Sequence, residues 1–436
     1  MRTTKLAGAA VVAATALVLS ACGGSGDQGG DVPSADLSGQ TLEVAGVWSG
    51  DEQAAFEEVL ALFEERTGAE VTYTSATDDL PTVLQTRVDG KTPPNVAVLP
   101  QPGLITQFAR AGALQPLSAE TQDVLNENYV EMWSDLGSVD DTPYGVFFKT
   151  ANKSTVWYNT ALFDEAGVTP PATMADLLAS AETLSDNGIA PFSVGGADGW
   201  VLTDWFENIY LQTAGPEMYD KLSRHEIPWT DPSVREALTV LGEVLKPEFL
   251  DGGSRGALQT EFPTSVSNVF GNEPKAAMVY EGDFVAGVIT ASTSAQLGDD
   301  ARFFPFPRID GADPSVVVGG DAAVAFTADA ATEELMKFLA SPEAAEVWAA
   351  RGGFLSPNKG LDVGAYPDEL TRELAQQLLD AGENLRFDMS DLAPSAFGAT
   401  KGSGMWKDLQ DFVADPGDIE GAMRNLENNA AKAFQE

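Results

Sequence analysis

An acid flanked by two aromatic residues is the strongest candidate for ligand chemistry in the sequence. Trp200, Asp204 and Trp205 follow the glycine pair Gly195-Gly196, which is typical of a turn. An aromatic face packs against apolar C–H groups, and a carboxylate accepts hydrogen bonds from hydroxyl groups. The combination predicts a site for a ligand that has an apolar face and a polar edge. The alternative is a pair of core tryptophans with an acid that favours a helix N-terminus.

Further candidates come just after stretches that have strand character. Trp48, Ser49 and Glu52 follow the first stretch, Asp79 follows the second, and Gln101 stands between two prolines after the third. We expect these side chains to face a ligand. Other roles stay open: core packing for Trp48, helix capping for Ser49 and Glu52, and a solvated turn for Asp79.

Alternating strands and helices decide where those side chains lie. A strand at 41–48 precedes a helix that opens on the capping-box pattern of Ser49 and Glu52, and further strands follow at 70–74 and 96–99. This alternation predicts the α/β class, with a parallel sheet covered on both faces. Ligands of such sheets bind outside the carboxyl ends of the strands, where the candidates fall.

Cysteine and histidine each occur once, at Cys22 and His225. One cysteine allows neither an intrachain disulfide nor a zinc site built on several thiolates. Nucleophilic catalysis by a Ser-His or Cys-His arrangement also has few possible partners. We therefore expect no catalytic residue, no metal and no cofactor.

The charge balance limits the partners. The chain has 25 Lys and Arg against 66 Asp and Glu, which gives a net charge of −41. So acidic a surface repels phosphate backbones and anionic headgroups, and it favours solubility. We expect no nucleic-acid partner.

The N-terminal residues are typical of an export signal. Arg2 and Lys5 precede an apolar run over 6–19, and Leu19-Ser20-Ala21-Cys22 resembles the bacterial lipobox, in which the cysteine receives a diacylglycerol group. We expect residues 1–21 to be a signal peptide. Residues 22–37, rich in Gly, Ser and Asp, should form a flexible tether held by lipid at Cys22. The expected location is the extracytoplasmic face of the cell membrane, with contact through the lipid anchor only.

Five stretches of the sequence stand out by their order and spacing: RTGAEVTYTS at 66–75, FARAGALQPL at 108–117, VWYNTALFDEAGVTPPATMADLL at 156–178, AAMVYEGDF at 276–284 and FLASPEAAEVW at 338–348. Together they resemble the extracellular sugar-binding proteins of ATP-driven (ABC) importers, the maltodextrin-binding-protein-like group. LPQPG at 99–103, GWVLTDWFENIYLQTAG at 199–215 and YEGDFVAG at 280–287 are similar to the branch that handles α-glucosides. The resemblance spans nearly the whole chain after the tether.

The resemblance implies a two-lobed periplasmic-binding-protein fold with a hinge, of type II with interleaved lobes. Lobe one would comprise 38–149 and 304–352, and lobe two 150–303 and 353–436. Lys149 and Asn152 would lie where the chain first crosses between the lobes, in a hinge or structural role.

The resemblance also implies the function and more site residues. Asp283, Phe284 and Trp406 match family positions that contact ligand, and Asp321, which follows a strand-like run, is expected to face the cleft. The chain would be a monomer that captures a sugar between the lobes and delivers it to the permease subunits of an ABC importer. Two alternatives stay open: an exported glycoside hydrolase, which needs two carboxylates, and the same fold with a polyamine, peptide or metal-chelate ligand.

Overall fold

The computed structural model describes residues 35–76, 80–309 and 311–435. Its strands are β1 (Thr41–Gly46), β2 (Glu70–Ser75), β3 (Val96–Leu99), β4 (Ser138–Val139), β5 (Thr142–Pro143), β6 (Gly145–Asn152), β7 (Thr155–Asn159), β8 (Ala190–Phe192), β9 (Ala276–Glu281), β10 (Ala301–Pro305), β11 (Val316–Ala325) and β12 (Leu385–Phe387).

The helices of the described residues cover both sheets. They are α1 (Gly50–Thr67), α2 (Leu80–Asp89), α3 (Pro102–Arg110), α4 (Ala119–Asn128), α5 (Glu131–Leu136), α6 (Thr160–Ala166), α7 (Met174–Asp186), α8 (Trp200–Ala214), α9 (Pro216–Ser223), α10 (Pro232–Val244), α11 (Gly253–Ala257), α12 (Phe262–Phe270), α13 (Val285–Ser292), α14 (Ala330–Leu339), α15 (Pro342–Arg351), α16 (Glu369–Ala381), α17 (Met389–Leu392), α18 (Ser395–Gly398), α19 (Gly404–Ala414) and α20 (Ile419–Ala433). Within the described residues, no helix is both long and apolar enough to cross a membrane.

The first sheet joins segments that lie far apart in the sequence. Its order is β12-β11-β3-β1-β2, with β6 also paired to β11. Strand β1 runs parallel to β2 and β3, whereas β11 runs antiparallel to β3 and β6. All of β3 is buried, which explains its continuous apolar run, since a strand covered on both faces does not alternate.

The second sheet has the order β10-β7-β9-β8. Its central strand β9 is buried along its full length, including Glu281 at its end. The two sheets confirm the predicted α/β class and two-lobed fold. The predicted boundary at residue 304 falls inside β10, which belongs to the second sheet, and β12 pairs with β11 although it lies in the segment predicted for lobe two.

The chain passes from the first sheet to the second between β6 and β7, through Lys153 and Ser154. This crossing is tied to β11, because the Lys153 amide donates to the Val317 carbonyl at 2.9 Å and Ser154 Oγ accepts from the Val317 amide at 2.9 Å. Asn152, Ser154 and Thr155 are almost completely buried.

The pairing of β6 with β11 contains an irregularity beside this crossing. Asp321 lies opposite Lys149, whereas the next residue, Ala322, lies opposite Phe147, so the register shifts by one residue. Gly320 allows the close approach, since a Cβ there would lie 2.9 Å from the Lys149 carbonyl oxygen. A bulge of this kind changes the direction of the neighbouring side chains, which here are those of Asp321 and Lys149.

Candidate functional site

Lys149, near the end of β6, lies among three carboxyl groups. Its side chain is 13% exposed and forms an ion pair with Glu52 in the first turn of α1. Burial lowers the pKa of Lys149, but Glu52, Asp321 and Asp283 outweigh burial and raise it above its usual value. The lysine is therefore charged, and it joins the start of α1 to the crossing strands.

Asp283 and Asp321 complete this group. The Asp283 Oδ1 accepts a hydrogen bond from the Asn152 amide at 2.6 Å, and Asp321 accepts one from the Trp48 side chain. Burial raises the pKa of both carboxyls to about 6, although Lys149 acts in the opposite direction. Both side chains are partly exposed, so they can accept hydrogen bonds from a ligand.

Lys153 holds a second and deeper group. Its Nζ contacts Asp388, lies 3.3 Å from Asp204 Oδ1 and lies 3.9 Å from Asp391 Oδ2. Burial lowers the pKa of Lys153, but these acids outweigh it and raise the pKa well above the usual value. Burial likewise raises the pKa of Asp388, but Lys153 and hydrogen bonds bring it down to about 2. The Lys153–Asp388 pair is therefore ionised.

Asp204 and Glu281 form a carboxyl pair beneath Lys153. Both are completely buried, and their side chains are close enough to share a hydrogen bond. Burial raises the pKa of Glu281 to about 8 and that of Asp204 well above its ordinary value. Two buried carboxyls in contact cannot both ionise at low cost. We infer that they share a proton at neutral pH.

The short helix α17 brings Asp388 and Asp391 to this group. Asp388 caps the helix by accepting from the Asp391 amide at 2.9 Å. Glu207 of α8 accepts from the amides of Met389 and Ser390 at 2.6 and 3.0 Å. These contacts satisfy amides that a helix N-terminus leaves without partners, and they fix the position of α17.

Asp391 reaches from α17 to the first sheet. Its Oδ1 accepts a hydrogen bond from Gln101 Nε2 at 3.2 Å, and Gln101 stands at the N-cap of α3. Burial raises the pKa of Asp391 to about 7, and the neighbouring Asp388 adds to this effect. The predicted residue Gln101 thus lies beside the Lys153 group.

Aromatic side chains form a wall beside the charged groups. Trp200, Phe262 and Phe284 pack together, with ring centroids 5.2 to 6.0 Å apart. Lys153 Nζ lies 5.9 Å from the centre of the Trp200 ring. Gly282 makes room for Phe284, because a Cβ there would lie 2.5 Å from its ring.

Trp406 joins this wall from α19. A Cβ at Gly199 would lie 2.8 Å from the Cβ of Trp406, so the glycine permits the contact, and its φ of +84° also favours glycine. The indole Nε1 of Trp406 is buried and has no hydrogen-bond partner among the described residues.

Three predicted contact residues lie behind the site surface. Trp48 is 3% exposed, and Asp204 and Trp205 are fully buried. Trp205 packs against Tyr280 at 4.3 Å and against Phe192 at 5.7 Å, so it is a core residue. The expectation of ligand contact for these three is corrected.

The start of α8 explains the error for Asp204 and Trp205. Their position after a glycine turn predicted surface groups, whereas the helix already begins at Trp200. Trp200 is therefore the partly exposed residue. Asp204 and Trp205 lie one turn further along, where every residue of Val201–Gln212 is buried.

The capping box expected at Ser49 and Glu52 is not formed. Ser49 is the N-cap of α1, but its side chain makes no capping hydrogen bond. Glu52 instead pairs with Lys149. Both residues are exposed at the edge of the Lys149 group. Asp79 and the lipidation residue Cys22 lie outside the described residues.

The sequence analysis did not identify Lys153, Asp388, Asp391, Glu207 and Glu281. A signal existed for two of them, because Asp388-Met-Ser-Asp391 has the spacing of a helix N-cap pattern. The others contact partners far away in the sequence, such as Glu207 with Met389, which lie 182 residues apart.

Asp204, Glu207 and Asp388 can each bring one oxygen within 4.8 Å of the others, a spacing that could suit a metal ion. Lys153 Nζ already contacts Asp204 and Asp388, and Glu207 accepts hydrogen bonds from α17 and from Tyr219. Groups of the chain itself therefore account for this arrangement.

Together, the site places flat aromatic faces next to carboxyl, amide and ammonium groups. Such a surface packs against an apolar ring face and forms hydrogen bonds with hydroxyl groups at the ring edge. It can therefore bind a polyhydroxylated ring.

Comparison with known proteins agrees with this geometry. The family described as bacterial extracellular solute-binding protein matches residues 48–346. The osmoprotective compounds-binding protein GgtB of Synechocystis sp. is 37% identical over 91% of this chain and 93% of its own length. The alpha-glucosides-binding periplasmic protein AglE of Rhizobium meliloti is 36% identical over 87% of this chain and 84% of its own length.

Solved structures share the fold. The bacterial solute receptor AcbH, described with a preference for galactopyranose, superposes with a TM-score of 0.76 at 20% identity over 91% of this chain and 99% of its own. RafE of Streptococcus pneumoniae gives a TM-score of 0.74 at 16% identity over 90% and 98% of the two chains. From the family match and the two relatives, the chain belongs to the bacterial extracellular solute-binding proteins.

Proposed function

We propose that this protein is the substrate-binding component of an ATP-driven importer and that it captures a sugar, an α-glucoside or related oligosaccharide, in the site described above. The observation that carries the proposal is the aromatic wall of Trp200, Phe284 and Trp406 beside the carboxyls of Asp283, Asp321 and Asp391. The similarity to AglE, an alpha-glucosides-binding periplasmic protein, supports this ligand class.

Each half of the site matches one surface of a pyranose. The rings of Trp200, Phe284 and Trp406 suit the C–H face. The carboxyls accept hydrogen bonds from hydroxyl groups, and Gln101 offers both a donor and an acceptor.

Closure of the two lobes around the sugar would produce the form that docks on the permease. Lys149 and Asp321 belong to the first sheet, whereas Asp283 and Phe284 follow β9 of the second, so a bound sugar that contacts both pairs of residues would favour one angle between the lobes. In this scheme the protein works as a monomer. Its Cys22 carries a lipid that holds it at the extracytoplasmic face of the membrane, while residues 1–21 serve as the signal peptide and 22–37 as the tether.

We further infer that the site binds without chemical turnover. Family members are binding proteins. Asp204 and Glu281, the deepest carboxyls, are fully buried and engaged with Lys153 and with each other, so they do not reach a glycosidic oxygen. Glucose released from an α-glucoside by the purified protein would contradict this inference.

Isothermal titration with α-linked glucosides, β-linked glucosides, amino acids and polyamines tests the proposal. We expect heat of binding from α-glucosides, and we expect Trp200→Ala and Trp406→Ala to weaken it at least tenfold. Lys407→Ala is the matched control, because Lys407 is exposed beside Trp406 and pairs with Asp411. Binding only of a polyamine or amino acid would contradict the sugar assignment.

A further inference from the structure

The Lys149 group has an excess of negative charge. It contains one ammonium and the three carboxyls of Glu52, Asp283 and Asp321, so its charge is −2 when all are ionised (one minus three). Lys149 makes its ion pair with Glu52. The charges of Asp283 and Asp321 are therefore only partly offset.

Asp283 and Asp321 are also held in place. Asp283 is bound by the Asn152 amide, and Asp321 by the side chain of the buried Trp48. Asp283 precedes the wall residue Phe284 directly, and Asp321 lies at the bulge of β11. Neither carboxyl can swing away from a ligand without losing its hydrogen bond.

We infer that Asp283 and Asp321 determine the charge selectivity of the site: it accepts neutral and amine-bearing sugars and rejects sugars that carry a carboxylate, phosphate or sulfate. This inference rests on the proposed function and narrows its ligand class. It adds a specific role for two side chains beyond hydrogen bonding to hydroxyl groups.

The physical basis is repulsion in a partly desolvated site. An anionic group near two fixed carboxylates meets a repulsion that water screens poorly, and we expect at least about a tenfold loss of affinity from it. Lys149 offsets only part of this repulsion, because its single positive charge is shared among Glu52, Asp283 and Asp321. A protonated amine is attracted by the same two carboxylates.

Other titratable and charged groups interact with the pair and belong to the same electrostatic system. In chain order they are Glu52 of α1, Tyr73 of β2, Lys149 of β6, Lys153 of the crossing segment, Tyr366 before α16 and Asp391 of α17. Of these, Asp391 adds negative charge on the side of the Lys153 group.

The test uses the full chain and three matched ligands: a neutral α-glucoside that binds, its 6-carboxylate and its 6-amino analogue. At pH 8 we expect the carboxylate to bind at least tenfold more weakly than the neutral sugar, and the amine at least equally well. In the double variant Asp283→Asn, Asp321→Asn, the carboxylate should bind within a fewfold of the neutral sugar. Glu165→Gln, an exposed acid on α6, is the control for the loss of charge.

A second readout is the pH dependence of this ratio. Asp283 and Asp321 have pKa values of about 6, so both become largely neutral at pH 5, while the sugar carboxylate stays ionised. The discrimination between neutral and carboxylate sugar should shrink from pH 8 to pH 5 in the parent protein. It should shrink clearly less in the double variant, in which Asp391 still titrates within this range.

The possible failures are distinguishable. If no neutral sugar binds, the proposed function and the selectivity that rests on it are both overturned. If the neutral sugar binds and the carboxylate binds equally well at pH 8, only the charge selectivity is overturned. The same holds if the asparagine substitutions change both affinities by the same factor.

Discussion

Lys149 and Lys153 stand close together in the sequence, and each is surrounded by carboxyls, yet the two groups differ in depth. Lys149 pairs with Glu52, whose side chain is 47% exposed, whereas Lys153 pairs with Asp204 and Asp388, which are 0 and 1% exposed. Exposed ion pairs contribute little to stability, and a buried one becomes costly when one partner is removed. The difference indicates that the contacts of Lys153 with Asp204 and Asp388 contribute more to the stability of the fold than the more exposed pair of Lys149 and Glu52.

The largest expected effect is that of Lys153→Met. It leaves Asp204, Asp388 and Asp391 without their shared cation, and we expect a loss of about 3–5 kcal/mol in the free energy of unfolding. Urea denaturation followed by tryptophan fluorescence measures the loss. A loss of less than about 1 kcal/mol in the free energy of unfolding would show that the Lys153 group stabilises the fold no more than an exposed ion pair does.

Glu207→Ala should have the next largest effect. The substitution removes the acceptor of the Met389 and Ser390 amides and of Tyr219, and we expect a loss of about 2–4 kcal/mol. Faster hydrogen exchange of those two amides would place the damage at α17. Glu207→Gln keeps one acceptor and should lose clearly less; equal losses would show that the hydrogen bonds are not the cause.

The pH dependence of stability should separate the groups. The pKa values of Glu281, about 8, and of Asp283 and Asp321, about 6, are raised in the folded state. The folded state then binds more protons than the unfolded state, so these groups destabilise the fold as pH rises. The melting temperature should rise by a few degrees from pH 8 to pH 5.

Variants divide this pH response between the groups. Glu281→Gln should remove the change in melting temperature that occurs near pH 8. Asp283→Asn together with Asp321→Asn should remove the change that occurs near pH 6. Scanning calorimetry at intervals of half a pH unit resolves these two changes. A melting temperature that falls on acidification within this window would contradict the assignment.

The smallest expected effect on stability is that of Lys149→Met, a loss of about 1 kcal/mol or less. The same substitution should have a clearer effect on the pKa values of neighbouring carboxyls. Because Lys149 lowers the pKa of Asp283 and Asp321, its removal should raise both above about 6. Carboxyl carbon shifts in an NMR titration measure this change, and unchanged shifts would mean that Lys149 acts on Glu52 alone.

The fold could be predicted because its signals are local. Continuous apolar runs such as β3 and the alternation of strands with helices indicated the α/β class. The family-like stretches, in their order along the chain, indicated the two lobes. Gln101 and Asp321 were predicted from their positions after strand-like runs, and Asp283, Phe284 and Trp406 from the family resemblance. The structure places these residues beside the Lys149 and Lys153 groups and the aromatic wall.

The inner part of the site could not be predicted in the same way. Lys153 contacts Asp388 across 235 residues, through a helix of only 4 residues whose sequence carries little signal. The burial of Trp205 was not predicted, because a tryptophan beside an acid has the same sequence pattern at a surface and in a core. The covering of α8 depends on α10, α19 and the second sheet. Its polar residues Asp204, Glu207 and Asn208 are buried together with its apolar ones, so the periodicity of the sequence does not show which side chains are exposed.

The crossing between β6 and β7 has a consequence for how the ligand range can evolve. Asn152, Lys153 and Ser154 use their side chains to hold the two sheets together, so substitutions there damage folding before they alter recognition. Residues at the rim are under less constraint, because Gln101, Phe284 and Trp406 are each only partly buried. New specificities in this lineage should therefore arise by exchange at the rim while the lysine at the centre is kept, and a library built for altered sugar binding is best confined to those positions.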